Sequence, residues 1–204
     1  MKLPRQAPGP GAGRSVWIIC QNAGSPRHGM NYRPYYLGKA LRDQGLDVTV
    51  ISGSTSHEFY APPETTGRYT IEDVDGLRYV WIRTPRYGES RSLGRMRAWL
   101  RYLLALPGTA RLGLPAPAAI VVSSPPPYPF LVAARLARRF RSRLVFEERD
   151  LWPLSLVEVG GISPRHPFIR LTQLVEDYAL ARADLVVSVL PAAGGHFASR
   201  GLKD

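Results

Sequence analysis

Short apolar runs alternate along this chain with segments in which apolar residues recur at helical spacing. Val16, Trp17, Ile18, Ile19 and Cys20 form a continuous apolar run, the pattern of a strand buried on both faces. A polar loop, QNAGSPRHGMN, follows it. Asn31 offers a helix N-cap and Pro34 suits a first helical turn. Tyr32, Tyr36, Leu37, Ala40 and Leu41 then recur as a stripe, and Gly45 marks the stop. With the strand Asp47 to Ser52, this is a βαβ unit, which implies a parallel pair joined by a right-handed crossover.

The alternation continues. Residues 53–68 are polar and proline-rich, a loop. YTIEDVDGLRYVWIRT reads as a hairpin turning at Asp75-Gly76. Ser92 can cap a helix from Leu93 to Leu106, with Leu93, Met96, Leu100, Leu103 and Leu104 as its stripe. Ala119 to Ser123 is a buried strand, halted by Ser124 and three prolines. A helix over 129–140, a strand from Arg143 to Glu147, a helix from Pro167 to Arg182, a strand from Asp184 to Val189 and a short helix near Pro191 complete the series. The expected fold is α/β: a doubly wound, mostly parallel sheet with helices on both faces. Residues 1–14, rich in Pro and Gly, read as a flexible leader, and 15–204 as one domain.

Composition narrows the function. The formal net charge is +11, and 24 of the 27 basic residues are arginine. Such a surface attracts phosphates, whether on nucleotides, lipid headgroups or nucleic acid. Neither zinc-finger spacing nor an aromatic RNA-binding motif is present, and the arginines are spread along the chain, so nucleic acid is not the expected partner. A single cysteine, Cys20, excludes an internal disulfide and a cysteine-rich metal site; in a core strand it reads as packing. His28, His57, His166 and His196 are scattered, so no metal is expected. The first residues lack the apolar middle of a secretory signal and no apolar run reaches a membrane span, while the single cysteine fits the cytosol.

In doubly wound sheets, ligands bind beyond the carboxyl ends of the strands. Three loops leave those ends carrying polar residues: QNAGSPRHGMNYR, SSPPPYP and EERDLWPLS. In the first, Gly24 and Gly29 would let the backbone approach a ligand. Asn31 opens the helix, whose N-terminal amides suit a phosphate, and Arg27 and Arg33 add charge; an ordinary glycine-bearing loop fits the same pattern. Ser123 and Ser124 open the second loop as candidate ligand contacts. Glu147, Glu148, Arg149 and Asp150 are expected on the rim of a cleft, outside the core. For Glu147 and Glu148 a surface ion-pair cluster is the simpler reading, with Glu148 kept as a candidate substrate contact. Asp150, placed before Trp152-Pro153, is the acid expected to act. The helix LGRMRAWLRYLLAL sets Arg95, Arg97 and Arg101 beside Trp99 and leucines, a pattern that suits either an anionic bilayer or a sheet-packed helix with solvated arginines.

With these loops in order, the chain resembles the N-terminal half of a family 4 glycosyltransferase of the GT-B fold, from about Val16 to Asp204. The resemblance rests on GSPRHGMNYRPYYLGKAL, GLDVTVISG, ERDLWP and LVEDYALARADLVVSVLP leading to HFASRGL. The RDLWP form is similar to the branch that builds bacterial surface polysaccharides, amino-sugar transferases included. The resemblance implies a Rossmann-like acceptor-side domain and transfer from a nucleotide-sugar, of the UDP type, used as a substrate with no cofactor. It implies retention of configuration, and a glycan or lipid-linked glycan as acceptor. Asp150 and Arg149 would be the catalytic pair, although many relatives carry His-Asp where this chain has Arg149-Asp150. Glu176 matches a glutamate common in the family, although a solvated or capping helix acid is the simpler reading. Relatives bind the donor on a second domain. These residues stop at the expected crossover to it, so either a missing C-terminal domain or a partner chain is expected to supply the donor site. A non-catalytic, partner-dependent half is the alternative; the expected location is cytoplasmic, with peripheral attachment to the inner face of a membrane kept as an option.

Overall fold

The computed structural model describes residues 14–87 and 93–201. Residues 1–13 of the expected leader, the Ser92 cap and the last three residues lie outside them. Seven strands form one sheet: β1 (Ser15–Ile19), β2 (Asp47–Gly53), β3 (Tyr69–Val74), β4 (Leu77–Ile82), β5 (Ala119–Ser123), β6 (Arg143–Glu148) and β7 (Leu185–Ser188). Their order is β3-β4-β2-β1-β5-β6-β7. Every neighbouring pair is parallel except the β3–β4 hairpin. Asp75 and Gly76 both have positive φ at its turn, as a tight hairpin of this twist requires.

Alternate residues of the central strands enter opposite cores. Trp17 and Ile19 pack with Phe130, Phe146 and Leu180 on one face, while Ile18 and Cys20 pack with Tyr35, Tyr79 and Trp81 on the other. The sheet is therefore covered on both sides, as the apolar runs implied. The helices are α1 (Arg33–Asp43), α2 (Leu93–Ala105), α3 (Pro129–Phe140), α4 (Leu154–Glu158), α5 (Pro167–Arg182) and α6 (Ala193–Ser199), with a 3-10 turn over Leu106–Arg111.

Three expectations need correction. First, Asn31 does not cap α1: it adopts a left-handed φ of 73°, the helix begins two residues later, and its N-cap Tyr32 makes no side-chain cap bond. Second, α1 buries Pro34, Tyr35 and Gly38, whereas Tyr36 of the expected stripe faces solvent. Gly38 lies close over the sheet; a methyl group there would stand 3.2 Å from a Leu77 methyl. Third, α2 is inverted. It buries Ala98, Trp99, Tyr102 and Ala105, while Leu93, Met96, Leu100 and Leu104 are 55–79% exposed. Two apolar stripes share this helix, and the face with the aromatics won the sheet. Tyr102 also donates to the Ile51 carbonyl at 2.9 Å, a bond no leucine can make.

Candidate functional site at the strand ends

The chain leaves β1 toward β2 on one side, and β5 lies on its other side. The crevice between β1 and β5 is thus the topological switch point, where connections diverge and open a gap at the carboxyl edge. Arg149 bridges this gap. Its Nε donates to the Ser124 carbonyl at 2.7 Å, and its two terminal nitrogens donate to Asn31 Oδ1 and to the Cys20 sulfur, the latter at 3.7 Å. One side chain from the end of β6 therefore ties the loop after β5 to the loop after β1. Burial pushes the Cys20 thiol up, with Arg149 opposing, so the sulfur serves as a packed acceptor.

Below Arg149 lies a buried pair of acids. The register of β5 and β6 sets Ser123 opposite Glu147. Ser123 Oγ donates to Glu147 Oε2 at 2.6 Å, and Arg33 Nε donates to its Oε1 at 2.6 Å. Glu147 is 2% exposed and Glu148 fully buried, so the expected position on the rim is corrected: both belong to the strand. A paired anion with two strong donors can be kept inside. Glu148 solves the problem otherwise. Ser124 Oγ donates to its Oε1, while its Oε2 has no partner among the described residues. Burial, aided by the nearby Glu176 and Asp150 carboxylates against Ser124, raises its pKa to about 9. Glu148 is a neutral carboxylic acid at physiological pH.

Asp150 stands at the mouth, half-buried. Trp152 Nε1 donates to its Oδ2 at 2.9 Å, which fixes the carboxylate's orientation. Its other oxygen has no partner among the described residues. Trp152 itself packs with Trp99, Tyr128 and Val175. The WP motif therefore anchors the strand-end turn to α2 and α5. Arg33 holds Glu147 through its Nε and keeps 44% of its side chain exposed.

Not every expected residue joins this cluster. Arg27 turns toward the β3–β4 hairpin and pairs with Asp75 at 2.7 Å. Gly24 and Gly29 serve the protein's own backbone. A methyl group on Gly24 would fall 2.0 Å from the Met30 carbonyl, and one on Gly29, at φ +153°, would fall 2.4 Å from that of Glu58. Ser123 and Ser124 spend their hydroxyls on the two glutamates. Asn31, Arg33, Ser123, Ser124, Glu148, Arg149 and Asp150 are brought together; Gly24, Arg27 and Gly29 are not.

Glu176 of α5 is fully buried, which corrects the solvated-acid reading. Its Oε1 accepts from His196 Nε2 at 2.8 Å and its Oε2 from Gln173. Burial raises its pKa, with His196 pulling the other way. This pair ties α6 to α5; the sequence signal for it was the family match of Glu176, while His196 stood among scattered histidines. Among the described residues, no group of three or more His, Cys, Asp and Glu side chains is placed to hold a metal ion. None of the helices described is long and apolar enough to cross a membrane.

Comparison with solved structures agrees with this architecture. The catalytic domain of starch synthase IV from Arabidopsis thaliana, bound to ADP and acarbose, superposes with a TM-score of 0.58 at 14% identity. The alignment covers 92% of this chain and 48% of that one, so the chain spans about half the length of that catalytic domain. A mutation variant of SsGBP aligns over 92% of this chain and 53% of its own at 6% identity, with a TM-score of only 0.26, too low to bear on the fold. No curated protein matches. Residues 28–204 match the family described as Glycosyl transferase 4-like domain, and with most of its length inside that match the chain belongs to this glycosyltransferase family.

Proposed function

We propose that this chain forms the acceptor-side wall of a retaining glycosyltransferase. It would move a sugar from a nucleotide-sugar, of the UDP type, to a hydroxyl of a glycan or lipid-linked glycan during bacterial surface-polysaccharide synthesis. The observation that carries the reading is the polar cluster across the β1–β5 switch point. There the half-exposed guanidinium of Arg33 pairs with Glu147 at the end of β6, and the oriented carboxylate of Asp150 stands three residues further along the same segment. Asp150 orients the acceptor hydroxyl through its free oxygen and receives its proton or passes it to the leaving phosphate. Arg33 faces the charge that develops on the departing diphosphate. Arg149 is a positioning residue, since its three bonds hold the two loops that frame the site. The surface-polysaccharide branch is supported by the RDLWP sequence, whose tryptophan orients the acid.

The donor site is assigned to a second domain or a partner chain. The acceptor is read as membrane-borne, with a cytoplasmic enzyme held on the inner face. The support is α2, whose outward side carries four exposed apolar residues flanked by the exposed Arg97 and Arg101.

The test starts with the intact mass of the protein purified from its own cells, which states whether a donor domain travels on the same polypeptide. Sugar transfer from labelled nucleotide-sugars to a cell lipid extract is then compared between that protein and its Asp150→Asn variant. The expected result is a fall of about 100-fold or more in kcat with unchanged thermal melting. Wild-type turnover in a folded D150N protein refutes the assignment.

A further inference from the structure

A second opening lies on the carboxyl edge, away from the switch point. The segments that leave β2 and β4 enclose an open cavity of about 760 Å3, within the range of small-ligand sites. Its floor is made of hydroxyls. Ser54, Thr55 and Thr84 are all buried. Ser54 Oγ accepts from the Thr84 amide at 3.0 Å, which leaves its proton available, and Thr55 Oγ1 donates to the Thr84 carbonyl at 3.2 Å. Thr84 is 7% exposed, and its Oγ1 has no partner among the described residues.

The rim is cationic. Arg83 and Arg86 follow β4, Arg101 comes from α2, and all three are exposed. None of these guanidinium groups meets an acid among the described residues, whereas Arg27, Arg33, Arg78 and Arg200 each close onto one. Three planar forks around one cavity, above a floor of hydroxyls, call for an anion with several acceptor oxygens. A single carboxylate would engage one fork and leave two unmatched. Among the described residues the one acid on the wall is Glu64, against three arginines.

The geometry points to a binding site for a diphosphate group in this cavity, with Arg83, Arg86 and Arg101 holding its oxygens and the Ser54–Thr84 floor below. The proposal rests on the glycosyltransferase reading only for the source of that group, either a diphosphate-linked acceptor or the donor nucleotide. Occupation from the acceptor side would set α2 between the bound diphosphate and whatever its outer face touches.

The probe is inorganic pyrophosphate, titrated calorimetrically into the full chain at low ionic strength. Saturable binding is expected, weakened by about tenfold or more in R83A/R86A and also weakened in R101A. A control, R27A/R200A, removes two arginines elsewhere and is expected to change the affinity less than about twofold. Thermal melts confirm that each variant is folded; Arg83 and Arg86 are exposed, so their loss leaves the core intact. Competition then separates the sources: a soluble alkyl diphosphate-sugar displacing pyrophosphate more strongly than UDP marks an acceptor site, and the reverse order marks a donor site. Absence of saturable binding, or equal losses in R83A/R86A and R27A/R200A, overturns the proposal. None of these readouts needs turnover, so failure of the proposed reaction would show separately, in the D150N comparison.

Discussion

Replacing Glu148 with glutamine isolates a single buried proton. In the folded chain the pKa of Glu148 is about 9, against the ordinary 4.5 that the unfolded chain approaches. Between those values the folded state holds a proton that the unfolded state has released. Stability must therefore fall as pH rises through that window, by up to about 1.4 kcal/mol per pH unit. The effect is complete below 4.5 as a contribution to the fold and fully lost above 9. Glutamine has nearly the same shape, stays neutral, and can still accept from Ser124 through its carbonyl oxygen. Its amide nitrogen takes the place of an oxygen that already lacks a partner among the described residues. Glu148→Gln should thus match the wild type near pH 5 and exceed it at pH 8. The ceiling over those three units is about 4 kcal/mol, and water entry around an ionised Glu148 would trim it to roughly 2 kcal/mol. Guanidinium denaturation of both proteins at pH 5, 6, 7 and 8 gives the difference directly. A stability difference that does not change with pH would refute the neutral-acid account, because a Glu148 ionised in both states contributes no slope.

Two further outcomes follow from packing. Trp152→Ala should cost roughly 3–5 kcal/mol, since it empties the centre of the cluster formed by Trp99, Tyr128 and Val175. Trp152→Phe should retain most of that stability yet lower kcat by freeing the Asp150 carboxylate, as read from melting curves beside turnover. On α2, the Leu100→Glu/Leu104→Glu double variant alters two side chains that are 57% and 69% exposed, so it should melt like the wild type. It should lose salt-sensitive binding to anionic vesicles in a sedimentation assay; equal binding by both proteins would remove α2 from the membrane account.

The sheet was legible because parallel strands buried on both faces are apolar at every position, as in Val16 to Cys20, and no other element of that length reads so. The hairpin at Asp75-Gly76 was legible because its turn needs two residues that tolerate positive φ. The site was legible only as a set of loops. Glu147 and Glu148 looked like surface charges because the groups that permit their burial are remote in sequence: Arg33 lies 114 residues away and the two serines 24. The α2 error has another cause. A helical period reports that a face is apolar, not which of two apolar faces meets the sheet, and hydrogen-bonding Tyr102 decided it. Asn31 was misread for a related reason, since good capping residues also tolerate left-handed backbone, and here Arg149 occupies the side chain.

The bridge made by Arg149 has a mechanical consequence. Strands β2, β3 and β4 lie on one side of the switch point and β6 and β7 on the other, so any gaping of the two halves at their carboxyl edge would stretch the Arg149 links to Asn31 and Ser124 together with the Arg33–Glu147 ion pair. The framing loops consequently behave as a stiff jaw. Any closure around a substrate must come from a body moving against this edge, while the edge itself keeps its shape.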